Sequence, residues 1–447
     1  MERIKRVKSG FLSRPFFYLP LAAGVVFILI LIFHYAVNTP VEDQWEMVPL
    51  FQAAGHHTLS FSDLWRQHNE HRIFFPTVVL LANAYITHWN TGIEMLIGFV
   101  VAAFTATLIF LMCHEKLKQD RLGLVAGALI AAWFFSPIQW GNWLWGWQLE
   151  WFMCVAGTVA TIFLLLKFID SDSMINRKVL FSLAAISSFI ATFSLANGVF
   201  SWITGLFILV LGRDKKRPIV TWTVAGLLST ALYYYHYVPV PSPQGTPFHV
   251  LTHHLFLFAE FVVAFLGGPV GSKGGDLQAA DIVGALLVLC LVPLLYLVWL
   301  RRKNVRLYLP WLALLLVGIL SSLSTAFGRL GYGVSFALNS RYTAFSLIFI
   351  IGLVGLAFTL LIFTKNISLN FKRLCAGTIV LMSLPLLMSS YAAGLHGFSK
   401  QSSYLKTVKF CTHEPDPSDA CLDQTYPSAQ VVRPRLEYLK ARHWAGY

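Results

Sequence analysis

Long, nearly unbroken apolar runs organise this chain, in place of the short alternating patterns of a water-soluble domain. Runs near 16–36, 93–113, 122–138, 149–168, 179–196, 199–212, 218–237, 281–300, 308–327, 342–363 and 374–394 read as membrane-spanning helices, because about 20 apolar residues cross the hydrocarbon core as an α-helix. Two more apolar runs, 73–87 and 254–268, are short and bounded by polar residues. Pro76 lies inside the first, and Gly267, Gly268 and Pro269 close the second. These are expected to be interfacial or re-entrant helices. The pattern predicts an all-α polytopic membrane protein of about eleven transmembrane helices. Residues 1–394 would form the helical domain with a first outer loop at 37–92, and residues 395–447 a small extracytoplasmic tail.

Composition removes the soluble alternative. Of 447 residues, 56% are hydrophobic and only 12% charged, against about 25% charged in an ordinary soluble domain. The net charge of +13 would suggest nucleic acid in a soluble protein; here its distribution fits the excess of Lys and Arg in cytoplasmic loops instead. Basic clusters stand at Arg3/Lys5/Arg6/Lys8/Arg14, Lys116/Lys118/Arg121, Lys167/Arg177/Lys178, Arg213/Lys215/Lys216/Arg217, Arg301/Arg302/Lys303/Arg306 and Lys365/Lys372/Arg373. All fall on one side if the N-terminus is inside, the tail is outside and neither short apolar run crosses. The first run is too long, and too bare of a small-residue cleavage site, for a removed signal peptide.

Five cations outside the tail do not fit that bias: Arg66, Arg72, Lys273, Arg329 and Arg341. An anionic ligand at the outer leaflet would explain them. Arg72, in DLWRQHNEHRIFFP at 63–76, offers a planar phosphate-binding fork; an interfacial anchor paired with Glu70 is the alternative. Arg329 and Arg341 frame GRLGYGVSFALNSRY at 328–342, either as a phosphate or pyrophosphate clamp or as interfacial anchors. Lys273 lies in GGPVGSKGGD at 267–276, where the glycine after it excludes a nucleotide phosphate loop.

The first outer loop is the richest in titratable groups, with Glu42, Asp43, Glu46, Asp63 and Glu70 beside His56, His57, His68 and His71. Asp43 lies just past the first span in VEDQWEMVPLF. A carboxylate there can take a proton from a hydroxyl in a partly desolvated cleft; a solvated loop charge or a helix cap before Trp45 is the other reading. His68 and His71 close no zinc spacing. QWGNWLWGWQLEW, at 139–151, is either an interfacial aromatic belt or a sugar platform in which Trp143, Asn142 and Gln148 take part, with Glu150 expected to face into the bundle. Cys411 and Cys421, in the outer tail, are a disulfide candidate. No internal repeat, nucleotide-binding loop or DNA-binding motif is present.

Together, VEDQW after the first span, NEHRIFFP, the Trp-rich turn and NSRY at the head of a late span resemble the membrane-embedded glycosyltransferases of the GT-C class. The chain is similar in layout to the bacterial O-antigen glucosyltransferases of the serotype-converting type. That resemblance implies a polyprenyl-phosphate-linked sugar as donor and a glycan or glycolipid as acceptor. The setting it implies is the bacterial inner membrane, with the site facing the periplasm. Asp43 would be the base, with Glu42 as its substitute. Arg72, Arg329, Arg341 and Lys273 would hold the lipid phosphate, and Glu70, His71, Trp143, Asn142, Gln148 and Tyr342 would bind sugar or acceptor. No cofactor or metal is required, and a divalent cation is compatible but not implied. Two competing readings are an O-antigen polymerase or ligase, whose key arginines usually lie in large later loops, and a lipid-sugar flippase or transporter, whose matched halves are not found here.

Overall fold

The computed structural model describes residues 13–117, 121–240, 245–271, 276–365 and 367–447. Among these residues there is no β-strand. Nine helices are long and apolar enough to cross a membrane: Phe17–Tyr35, Thr91–Leu117, Arg121–Trp143, Gly146–Asp170, Met174–Thr192, Leu277–Leu300, Leu309–Tyr332, Ser340–Phe363 and Leu369–His413. This is the architecture of a polytopic helical membrane protein. Apolar side chains cover its outer surface as well as its core: Leu227, Leu228, Leu286, Leu289, Val292 and Met388 are all exposed, as expected where the surrounding solvent is lipid.

The eleven expected runs are all helical, but two are not among the nine. Residues 199–212 fall in the shorter apolar segment Ala196–Leu211, and 218–237 become the helix Lys216–Tyr234, which Lys216, Arg217 and a cluster of tyrosines make less apolar. The two short runs form the helices Phe74–Thr87, of 14 residues, and Leu255–Gly271, of 17 residues.

The expected boundary at 394/395 falls inside a helix. The helix from Leu369 continues without a break to His413, 45 residues in all, or about 67 Å at 1.5 Å per residue. No linker separates bundle from tail, because the change there is from apolar to polar residues, and SKQSSYLKTVKF keeps helix-forming residues throughout.

Small and hydroxylated residues let the helices approach one another. Thr161 and Ser188 hydrogen-bond at 2.9 Å between neighbouring helices, Ser136 and Ser390 at 2.7 Å, and the Ser346 hydroxyl donates to the Phe265 carbonyl at 2.6 Å. In an apolar surround these contacts replace the hydrophobic driving force that lipid cannot supply.

The tail folds back onto the loop that follows the first helix, which ends at Tyr35. Cys411 and Cys421 are joined by a disulfide, and the helix Ala429–Arg442 follows. Arg435 donates to the Glu46 carboxylate at 2.9 Å and to the Trp45 carbonyl at 3.0 Å. The Tyr426 hydroxyl reaches the same carboxylate at 2.9 Å, and the Glu42 N–H donates to the Thr425 carbonyl at 2.6 Å. Trp444 packs edge-on against Phe51 and Tyr85.

Candidate functional site

At one end of the bundle these elements enclose a cleft of about 370 Å³. The first outer loop contributes Asp43, His68, Asn69, Glu70 and His71, the Trp-rich turn contributes Trp147, Glu150 and Trp151, and the late hairpin contributes Arg329, Arg341 and Tyr342. Tyr234, Tyr237 and Asn197 complete the wall.

Asp43 is set in place by its neighbours in sequence. Glu42 has a left-handed backbone, with φ of 48°, strained for a residue other than glycine. It opens the short 3₁₀ turn Glu42–Met47. The next side chain, Gln44, is buried and donates to Glu94 at 2.7 Å. Glu94 also accepts from the Trp89 indole at 2.8 Å and from Asn83 at 3.4 Å, so three segments meet on one satisfied carboxylate. Gly146 of the Trp-rich turn lies directly over Glu94, where an added Cβ would collide with that carboxylate. Of the adjacent acids, Asp43 lines the cleft and Glu42 is exposed outside it.

His68 and His71 are brought in by a tight turn. Each donates its backbone N–H to the other's carbonyl at 2.8 Å, and Asn69 between them takes φ of 49°, a conformation asparagine tolerates. The His68 ring stands 3.6 Å from Asp43 Oδ2 and edge-on to Trp147. Burial lowers the His68 pKa, but the Asp43 carboxylate outweighs it and the net shift is upward. His71 is the opposite case: burial, then the nearby Arg329, push it down to about 3. Its Nδ1 accepts from the Ala196 N–H at 3.4 Å, fitting a neutral ring. Among the described residues, no group of three or more His, Cys, Asp or Glu is placed to hold a metal ion.

The outer arginines divide. Arg72, expected at the phosphate, is only 4% exposed and has its guanidinium on three backbone carbonyls: Tyr233 at 2.7 Å, Trp65 at 2.8 Å and Tyr235 at 2.5 Å. It fastens the loop to the end of the Lys216–Tyr234 helix and borders an adjoining cavity, not the cleft itself. Arg329 reaches the cleft but is paired with Glu70 at 2.7 Å. Arg341 is different again. Its Nε is buried without a hydrogen-bond partner, and so is the neighbouring Tyr342 hydroxyl; its guanidinium lies near the Phe336 and Tyr342 rings. Lys273 lies outside the described residues.

The Trp-rich turn also departs from expectation. Trp143 is buried against Phe152, Asn142 donates to the Arg341 carbonyl at 3.2 Å, and Gln148 is buried; none of the three lines the cleft. The turn breaks into the short helices Trp140–Trp143 and Gly146–Gln148 before the long helix begins at Leu149. That break directs its second half, Trp147, Glu150 and Trp151, at the cleft. Glu150, 6% exposed, accepts from the Trp151 indole at 3.2 Å while its Oε2 has no partner.

Sequence reasoning missed Glu94 and gave His68 and Trp147 no role. An acid within an otherwise apolar run was the available signal for Glu94. Compared with models of known protein families and with curated proteins, the chain matches none.

Proposed function

We propose that this chain is a membrane-embedded glycosyltransferase of the GT-C class. It would move a sugar from a polyprenyl-phosphate carrier to a glycan or glycolipid on the extracytoplasmic side of a bacterial inner membrane. The observation that carries this reading is the convergence in one cleft of a first-loop carboxylate, Asp43, with a partly buried arginine whose Nε is unpartnered, Arg341. The orientation that goes with it has eleven crossings, the N-terminus inside and the tail outside.

In this mechanism Asp43 takes the proton of the acceptor hydroxyl. The freed oxygen attacks the anomeric carbon as the bond from that carbon to the phosphate oxygen breaks, and the configuration inverts. Both electrons of the breaking bond leave with the polyprenyl phosphate. Arg341 faces that growing charge, stabilisation placed where charge develops, and its fork suits phosphate oxygens. The ion pair with Glu70 leaves Arg329 a lesser share. His68, beside Asp43, orients the carboxylate. An adjoining open cavity of about 680 Å³, lined by Trp65, Arg66, Gln67, Tyr235 and His236, shares Asn69 with the cleft and gives room for an acceptor.

The test is the mass of the host's surface polysaccharide repeat with the gene deleted, restored, and restored as Asp43→Asn. Loss of one sugar per repeat, rescued by the unmutated chain alone, is the expected result. A shortened polymer built from an intact repeat would replace this reading with a polymerase, and no change in either would overturn transfer to this glycan.

A further inference from the structure

A second cavity, of about 490 Å³, lies at the far end of the bundle, lined by Leu211, Arg213, Lys303, Asn304, Val305, Arg306 and Leu307. The helix Leu309–Arg329 connects the two sites: Ser324, Thr325 and Arg329 border the cleft, and Leu309 follows directly on the cavity wall. Its 21 residues span about 30 Å, the thickness of a bilayer's hydrocarbon core. Cleft and cavity therefore belong to opposite membrane faces.

The cavity is cationic and unneutralised. Arg213, Lys303 and Arg306 line it, and among the described residues no carboxylate does. The adjacent Asp214 is engaged by Arg177 through both oxygens, at 2.7 and 2.8 Å. Arg306 donates to the Gly212 carbonyl at 2.7 Å, which fixes the arginine at the rim. Arg301, two residues before Lys303, has its Nη1 buried without a hydrogen-bond partner. Just before it on the Leu277–Leu300 helix, Tyr296 and Trp299 are 59% and 57% exposed, the aromatic signature of the headgroup level.

We propose that this cavity binds a phosphate-bearing anion, presented either as the headgroup of an anionic phospholipid or as a free phosphate. Three cations converge from two loops, the chamber fits a headgroup, and exposed Trp299 and Leu300 border the place where acyl chains would run. Recognition is electrostatic, with about 1 kcal/mol for each Lys or Arg near an anionic surface.

The experiment uses the full chain in nanodiscs of phosphatidylcholine, titrated with phosphatidylglycerol in one arm and inorganic phosphate in the other. Bound lipid is counted by native mass spectrometry, and thermal stabilisation is followed in parallel. The double variant Arg213→Gln/Lys303→Gln should bind at least about tenfold more weakly. Lys215→Gln/Lys216→Gln, which removes two charges from the same face outside the cavity, should bind as the unmutated chain does. Stabilisation by phosphatidylglycerol alone identifies a lipid site, and equal stabilisation by inorganic phosphate identifies a free-anion site. Equal loss in both double variants, or no binding in either arm, overturns the proposal. Should the first variant fail to fold, Lys303→Glu alone serves in its place, and unchanged binding there would overturn it equally.

Discussion

Two neighbouring regions at the same end of the bundle treat buried polar groups in opposite ways. Around Glu94 and Arg72, donors and acceptors are matched: the carboxylate accepts from Gln44, Asn83 and Trp89, and the guanidinium donates to three carbonyls. Across the cleft, Glu150 Oε2, Arg341 Nε and the Tyr342 hydroxyl are buried with no partner. A buried polar group left unpaired costs about 1–3 kcal/mol, a cost that a polar ligand in the cleft would relieve. The first region is internally satisfied and the second is open to a partner, although both contain an arginine and a buried acid.

The widest separation should come from two acids. Asp43→Asn is expected to lower transfer by about 10²- to 10⁴-fold with an unchanged melting temperature in detergent. Glu94→Ala, which orphans three donors, is expected to cost several kcal/mol of stability, at about 1–3 each, and to lower activity only through loss of folded protein. A Glu94 variant that melts normally would remove the framework assignment. The arginines give a smaller contrast. Lysine cannot reproduce a planar fork, so Arg341→Lys should reduce turnover about tenfold or more without moving the melting temperature, whereas Arg72→Lys should lower the melting temperature. Exchange of those two outcomes would mean that the outer arginines had been sorted wrongly.

The smallest effect lies in pH. His71 stays neutral in the folded chain down to about pH 3, while the unfolded chain takes up its proton near 6.5. Between those values the unfolded state binds more protons, so this contribution is complete above about 6.5 and falls on acidification. His68 has the opposite sign: its pKa is raised, so its contribution is complete below the ordinary value of 6.5 and is lost as pH rises through the raised one. The melting temperature of the unmutated chain should therefore fall on acidification below about pH 6.5. His71→Gln should flatten that fall, whereas His68→Gln should leave its slope unchanged and instead remove a loss of stability that sets in as pH rises above about 6.5; parallel curves for all three proteins would count against both assignments.

The helices were legible in the sequence because apolar runs of this length have few other uses. Arg329 and Arg341, which the cleft brings together, stood out as cations where the charge bias asks for none, Asp43 as a carboxylate close to the first span, and Glu70, His71 and Tyr342 only through the family resemblance. What could not be read was direction. Trp143 and Trp147 look alike in a string of five tryptophans, yet a break of the helix between them turns only the second toward the cleft. Arg72 and Arg341 look alike until the carbonyls around Arg72 are in place, and two of those three come from residues more than 160 positions away. The tail read as a separate unit because composition changes at 394, although the helix runs on to His413.

The docking of residues 425–435 on residues 42–46 also dictates a timetable for the cell. The strand of chain that carries Asp43 leaves the ribosome early, but the groups that hold its backbone, Thr425, Tyr426 and Arg435, are made nearly 400 residues later. During synthesis and membrane insertion the nascent protein must therefore hold a competent bundle with an unfinished cleft. Completion of the cleft becomes a discrete late event, reached only when the last residues have been made, Cys411 and Cys421 have joined, and Tyr426 and Arg435 have closed on Glu46.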